Sequence, residues 1–147
     1  MKDVFMTAAL KEAQKAFLED EVPIGAVIVK DGKIIAKAHN LREKRNIATY
    51  HAEIIAIEKA CKKLNSWRLD DCELYVTLEP CIMCAGAILN ARIKKVYFGA
   101  KEPKGGACQS RFDLLSSGAL NWQTECIGGV MEEECSQIIT DFFRKKR

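Results

Sequence analysis

Two short runs constrain this chain more than anything else in it: His51-Ala52-Glu53 and Pro80-Cys81-Ile82-Met83-Cys84. Both carry side chains that bind metal or move protons, and each sits at a predicted helix start after a strand or loop. Cys81 and Cys84 are three apart, so at the start of a helix both sulfurs leave from one face. A helix N-terminus favours thiolates, the forms that bind metal. Two thiolates and the His51 imidazole suit zinc, one ion per chain, and leave a fourth tetrahedral position for water. That open position distinguishes a catalytic zinc from a structural one. Glu53 is then the expected proton carrier. Its two-residue spacing from His51 does not put both side chains on one helical face, so the first turn of this helix has to point into the pocket.

The remaining sequence has to bring these two helix starts together. Residues 2–19 alternate apolar and charged at helical spacing, with Phe5, Ala9, Ala13 and Ala16 on one side. Val22-Pro23 stops that helix. Residues 24–29 read as a buried strand, Asp31-Gly32 as a hairpin turn and residues 33–39 as the returning strand. A polar, basic stretch runs from Asn40 to Thr49, with Thr49 as the expected N-cap of the helix carrying His51 and Glu53. Residues 74–78 form a third predicted strand, and Pro80 is expected to open the helix through Cys81 and Cys84. A fourth strand at 96–100 follows, then a glycine-containing loop, a short helix near 112–116 and a weak fifth strand at 123–127. The final helix places Cys135, Ile138, Ile139, Phe142 and Phe143 on one stripe. This order predicts one α/β domain over residues 1–147, a three-layer α/β/α fold around a central mixed five-stranded sheet. Motifs at strand ends and helix starts would then share one sheet edge, where such folds build sites.

At 147 residues the chain is long enough for a single core. It shows no signal-peptide pattern at its start and no apolar run long enough to span a bilayer, so a cytoplasmic address without membrane contact is the expectation. In a reducing compartment the seven cysteines are read as metal ligands or buried small hydrophobes rather than disulfides. A Cys-x-x-Cys alone would fit a redox pair, but such a pair has no need of an upstream His-x-Glu. A structural zinc needs a fourth ligand, and neither His39 nor Cys108 has convincing spacing for it.

His-x-Glu followed by Pro-Cys-x-x-Cys is the signature of zinc nucleobase deaminases. Over nearly its whole length the chain resembles the bacterial tRNA-specific adenosine deaminases. The resemblance rests on residues 21–26 (Glu-Val-Pro-Ile-Gly-Ala), 38–43, 66–69, 75–81 (Tyr-Val-Thr-Leu-Glu-Pro-Cys), 84–87 and 141–144 (Asp-Phe-Phe-Arg). It implies hydrolysis of adenosine to inosine at the wobble position of a tRNA anticodon loop, and a homodimer. It also implies that Asn40 hydrogen-bonds the target nucleotide, Leu78 packs on its base and the Ala52 N–H meets the base edge. Glu102, Trp122, Phe143 and Arg144 complete the expected substrate contacts. Trp122, Phe142 or Phe143 would offer a stacking face, core packing being the alternative for the two phenylalanines.

Several positions depart from the family pattern: Asn46-Ile47-Ala48-Thr49-Tyr50 before the His-Ala-Glu, Glu102 where Asp is common, and Asn121-Trp122 in place of Asn-His. They bear on the substrate, not on the reaction. A basic rim of Lys37, Arg42, Lys44, Arg45, Lys101, Lys104, Arg111 and residues 144–147 suits RNA, although the last four also complement a helix dipole. Two alternatives are a deaminase of a free base or nucleoside (guanine, cytosine, cytidine or adenine) and a non-catalytic zinc-binding module. Glu53 argues against the second, since a structural site has no use for a carboxylate there.

Overall fold

In α1 (Lys2–Leu18) the side chains of Phe5, Met6, Ala9, Ala13 and Ala16 recur at helical spacing and are buried. The computed structural model describes residues 2–118 and 120–147. β1 (Gly25–Lys30) and β2 (Lys33–His39) form the hairpin, and Asp31 and Gly32 take the two positive φ angles that a tight two-residue turn requires. α2 (Arg42–Arg45) is a single exposed turn that the polar composition of 40–49 conceals. Then follow α3 (Ala52–Leu64), β3 (Cys72–Leu78), α4 (Ile82–Asn90), β4 (Lys95–Ala100), β5 (Glu125–Ile127) and α5 (Glu132–Lys145).

The sheet order is β2-β1-β3-β4-β5. β1 runs antiparallel to β2 and β3, whereas β3, β4 and β5 are parallel. Alternation along each strand sorts side chains to two faces. Ala26, Ile28, Leu74, Val76, Val96 and Phe98 pack with α3 and α4 residues such as Ile55, Ala56, Ala85 and Ile88. Val27, Val29, Tyr75 and Tyr97 pack with Phe5, Met6 and Ala9 of α1 and Cys135 of α5. Burying each of the larger aliphatic side chains stabilises the fold by roughly 1.5–3 kcal/mol. The expected three layers and mixed five-stranded sheet are therefore present.

Three local expectations are corrected. The N-cap of α3 is His51, not Thr49, and α4 begins at Ile82 with Cys81 as its N-cap, so Pro80 precedes the helix. Residues 114–116 form turns instead of a helix. There Asp113 Oδ1 accepts from both the Ser116 N–H at 3.2 Å and its hydroxyl at 2.7 Å, an arrangement that competes with helix.

α1 lies close enough to β1 that a Cβ on Gly25 would run into the Ala9 carbonyl oxygen and the Ala13 nitrogen. Since backbone cannot swing aside, Gly25→Ala is expected to destabilise by about 1–3 kcal/mol, seen in denaturant titration; an unchanged midpoint would refute that contact. On the same helix, buried Glu12 is pushed up by burial. The hydrogen bonds of Lys15 at 2.7 Å and His39 outweigh this and hold it below its ordinary 4.5. A carboxyl whose folded pKa is depressed stabilises above its unfolded value and loses that contribution as pH falls. Glu12→Gln should therefore flatten the loss of stability below pH 4.5, whereas an acid limb as steep as the parent's would assign it to other carboxylates.

Candidate metal centre

Parallel β3 and β4 end at the same sheet edge, and α3 and α4 begin there. His51 and Cys81 both take extended backbone angles as N-caps, which turns each side chain off the helix end instead of along its flank. This removes the conflict raised by the spacing of His51 and Glu53, because His51 stands before the first helical residue and Glu53 within the first turn. Cys84 lies in the first turn of α4, fully buried.

The ligand atoms of His51, Cys81 and Cys84 lie within 4.8 Å of one another. The His51 Nδ1 is 3.7 Å from the Cys81 Sγ and 3.6 Å from the Cys84 Sγ. Metal bonds of about 2.0 Å to nitrogen and 2.3 Å to sulfur, opened to the tetrahedral angle, put those atoms about 3.5 Å apart. The two nitrogen-to-sulfur edges thus lie close to those of a zinc tetrahedron, with three protein donors that leave a fourth position free. Among the described residues this is the single such cluster. His39 instead spans Glu12 and Glu19, and buried Cys108 belongs to the core beneath α3 and α4.

Facing one another, the three side chains titrate unevenly. A hydrogen bond from Cys84 draws the Cys81 thiol down to about 4, with His51 helping and burial opposing. Cys84, which gives that bond, is pushed up, and the bond with Cys81 raises His51. Burial pushes the Glu53 carboxyl, 4% exposed, up to about 7. A carboxyl poised there can both accept and release a proton near neutrality.

Two adjoining hollows open onto the cluster and share Ile24, His51, Leu78 and Glu102. One continues past Val22, Asn40, Arg42, Ala52, Ile139 and Phe143. The other continues past Glu53, Glu79, Cys81, Lys104 and Gly105. Asn40 is anchored by its own amide, which donates to the Val22 carbonyl at 3.3 Å and accepts from the Arg42 N–H at 3.1 Å. One amide N–H and one lone pair remain for a ligand. Ala52 is the first residue of α3, where an N–H has no acceptor within the helix.

Nine of the eleven expected site residues are thus gathered around this space, with Cys84 buried behind it. Trp122 and Arg144 are not. Trp122 donates its indole N–H to the Ile93 carbonyl at 3.1 Å, just before β4, whereas Glu102 follows β4 at the other end of the strand. Arg144 projects into solvent near Asp141, and the next two cations, Lys145 and Lys146, turn to Asp20. Val22, Ile24, Ile139 and Glu79 line the space without having been singled out. Their apolar or strand-end contexts resemble ordinary core.

Glu79 is the most heavily bonded side chain in the region. It accepts from the backbone N–H groups of Glu102, Cys108, Gln109 and Ser110, and from the Ser110 hydroxyl. Burial opposes its ionisation, but these donors hold the carboxyl below its ordinary range.

If the cluster holds zinc, chelation should lower the thermal midpoint and added zinc should restore it. An ion present at a hundred times its Kd stabilises by about 2.7 kcal/mol. Identical midpoints with and without zinc would show that nothing is held there.

Comparisons with known proteins agree with this geometry. The family model for MafB19-like deaminases matches residues 1–147. A tRNA-specific adenosine deaminase of Bacillus subtilis (strain 168) is 51% identical over 145 residues, covering 99% of this chain and 90% of that protein. A structure from a study of A-to-I editing by tRNA:A34 deaminases at the wobble position superposes with a TM-score of 0.89. It is 47% identical and the match covers 92% of this chain and 98% of that one. A guanine deaminase from Bacillus subtilis matches with a TM-score of 0.65 and 45% identity, over 75% of this chain and 69% of that one.

Proposed function

The chain belongs to the MafB19-like deaminases and, within them, to the tRNA-specific adenosine deaminases, and we propose that it acts on the wobble adenosine of a tRNA anticodon loop. It is an enzyme that converts adenosine to inosine. The observation that carries the reading is the cluster of His51, Cys81 and Cys84 beside buried Glu53, open to a hollow lined by Ile24, Leu78 and Glu102.

His51, Cys81 and Cys84 would hold one zinc ion, and zinc supplies the Lewis acidity that makes water a nucleophile at neutral pH. Glu53 takes a proton from the attacking water and passes it to a ring nitrogen as the C6–O bond forms. It then assists the amine, which leaves as ammonia when the C6–N bond breaks. Leu78, Val22 and Ile24 give the base an apolar seat, while Asn40 and the Ala52 N–H face its polar edges. Reaching C6 requires the nucleotide to leave its stack, and an anticodon loop presents bases already splayed. Phe143, 47% exposed at the rim, offers a flanking base a stacking face, and Arg42 and Lys104 offer cations to phosphates. The same reading includes a homodimer and a cytoplasmic address. No helix of the described residues is long and apolar enough to cross a membrane.

One finding favours a second substrate, free guanine: the likeness to the guanine deaminase. The deciding experiment incubates zinc-loaded protein with an anticodon stem-loop carrying a wobble adenosine and, in parallel, with adenosine, adenine, guanine, cytosine and cytidine. Inosine in the stem-loop is expected, and ammonia from guanine alone would replace the tRNA reading. Glu53→Gln should lower turnover by about a hundredfold or more while zinc content stays at one per chain. Turnover close to the parent's would remove Glu53 from the chemistry.

A further inference from the structure

Glu21 and Glu79 are buried carboxylates that the chemistry above does not use. Glu21 is 0% and Glu79 2% exposed. Among the described residues neither has a cation within ion-pair distance, and both are satisfied by donors from segments far along the chain. Glu21 accepts from the Glu43 N–H at 3.0 Å and the Lys44 N–H at 2.5 Å. Glu79 accepts from the Glu102 N–H at 3.1 Å through one oxygen, which also takes the Ser110 hydroxyl. Its other oxygen takes the N–H groups of Cys108, Gln109 and Ser110 at 3.1, 2.7 and 2.8 Å. A buried charge is tolerated only when its lone pairs are filled in this way.

What the two carboxylates tie down is informative. Glu21 sits beside the lining residue Val22, Glu79 sits beside Leu78 and itself reaches the wall, and each extends across to a segment carrying a lining residue on the rim. Glu21 holds α2, a single turn with no buried residue of its own, next to Arg42. Glu79 holds residues 102–110, where no helix or strand forms, and bonds Glu102 directly. The loop comes so close that a Cβ on Gly106 would meet the Glu79 carboxyl group. α2 buries nothing of its own, and in the loop Ala107 and Cys108 reach the core while residues 102–105 do not, so the Glu102 end relies on Glu79.

We propose that Glu21 and Glu79 are positioning residues for the substrate: paired buried clamps that set how far the Arg42 and Glu102 rims stand from the Val22–Leu78 floor. The proposal rests on the deaminase reading of the same hollow. Neither clamp touches the reacting atoms, so each should act on binding. A glutamine at either position replaces one acceptor oxygen by an NH2 that faces an N–H donor, so the clamp loosens without a change in size.

The test compares Glu21→Gln, Glu79→Gln and the parent as full-length zinc-loaded enzymes, on whichever substrate of the panel the parent deaminates. This choice keeps a wrong substrate assignment separate from a wrong clamp. KM should rise about tenfold while kcat stays within about twofold and zinc content is unchanged, the pattern of lost binding without lost chemistry. Amide exchange should quicken at Glu43 and Lys44 in Glu21→Gln, and at Glu102 and 108–110 in Glu79→Gln. If Glu79→Gln does not fold, Ser110→Ala removes one donor and should raise KM in the same sense by about twofold. A lowered midpoint with KM unmoved would make the clamps merely structural. Loss of kcat together with zinc would place them under the metal cluster, and either result overturns the proposal.

Discussion

His51 and Cys81 are both N-cap residues, and their side chains meet only because α3 and α4 start side by side at one edge of the sheet. That juxtaposition follows from topology. β2 and β3 both run antiparallel to the β1 strand between them, so the strands that lead into α3 and α4 end at the same edge. The helices can lie flat on the sheet because their inner faces are largely alanine and aliphatic: Ala52, Ala56 and Ala60 on α3, and Ala85, Ile88 and Leu89 on α4. The opposite face, packed against α1 and α5, provides the second apolar layer that buries the strands on both sides.

Much of this was legible in the sequence, for reasons that differ from element to element. The hairpin could be read because Asp31-Gly32 is one of few pairs that take two positive φ angles cheaply. The strands could be read from continuous apolar runs. The metal triad could be read because thiol and imidazole side chains at that spacing have few other uses. Less visible were features that depend on distant partners. Asn40 meets the first N–H of α2, but the next two go to Glu21, more than twenty positions upstream, a partner no local pattern records. Thr49 and Pro80 were reasonable helix-start signals, but the backbone begins each helix where the metal-binding side chain must leave it. In the sequence Trp122 reads as a stacking platform. Its indole N–H finds the Ile93 carbonyl and the ring packs on the core from the far end of β4.

Charge placement tells a similar story. The three acids that follow α1, Glu19, Asp20 and Glu21, each serve a different neighbour. Glu19 takes His39 and Lys44, Asp20 takes the C-terminal lysines, and Glu21 takes the backbone of α2. The exposed ion pairs among them are worth little individually. Buried Glu21 is different in kind, because unfilled lone pairs there would meet no water.

The fan of donors around Glu79 also bears on movement. Glu79 stands two residues from Cys81 and one from Leu78, so the segment it grips is joined, through a few covalent bonds, to the end of a central strand. Swinging that segment outward would break several hydrogen bonds together, and partial displacement gains nothing. Such a wall opens rarely and as a unit. The opposite border, formed by exposed Phe143 on the last turns of α5, is held by Phe142 packed on Phe17 and by exposed ion pairs of Lys145 and Lys146 with Asp20, which are weak one by one. Breathing of the entrance on fast timescales therefore belongs to the C-terminal side, and the Glu102 side acts as the fixed jaw.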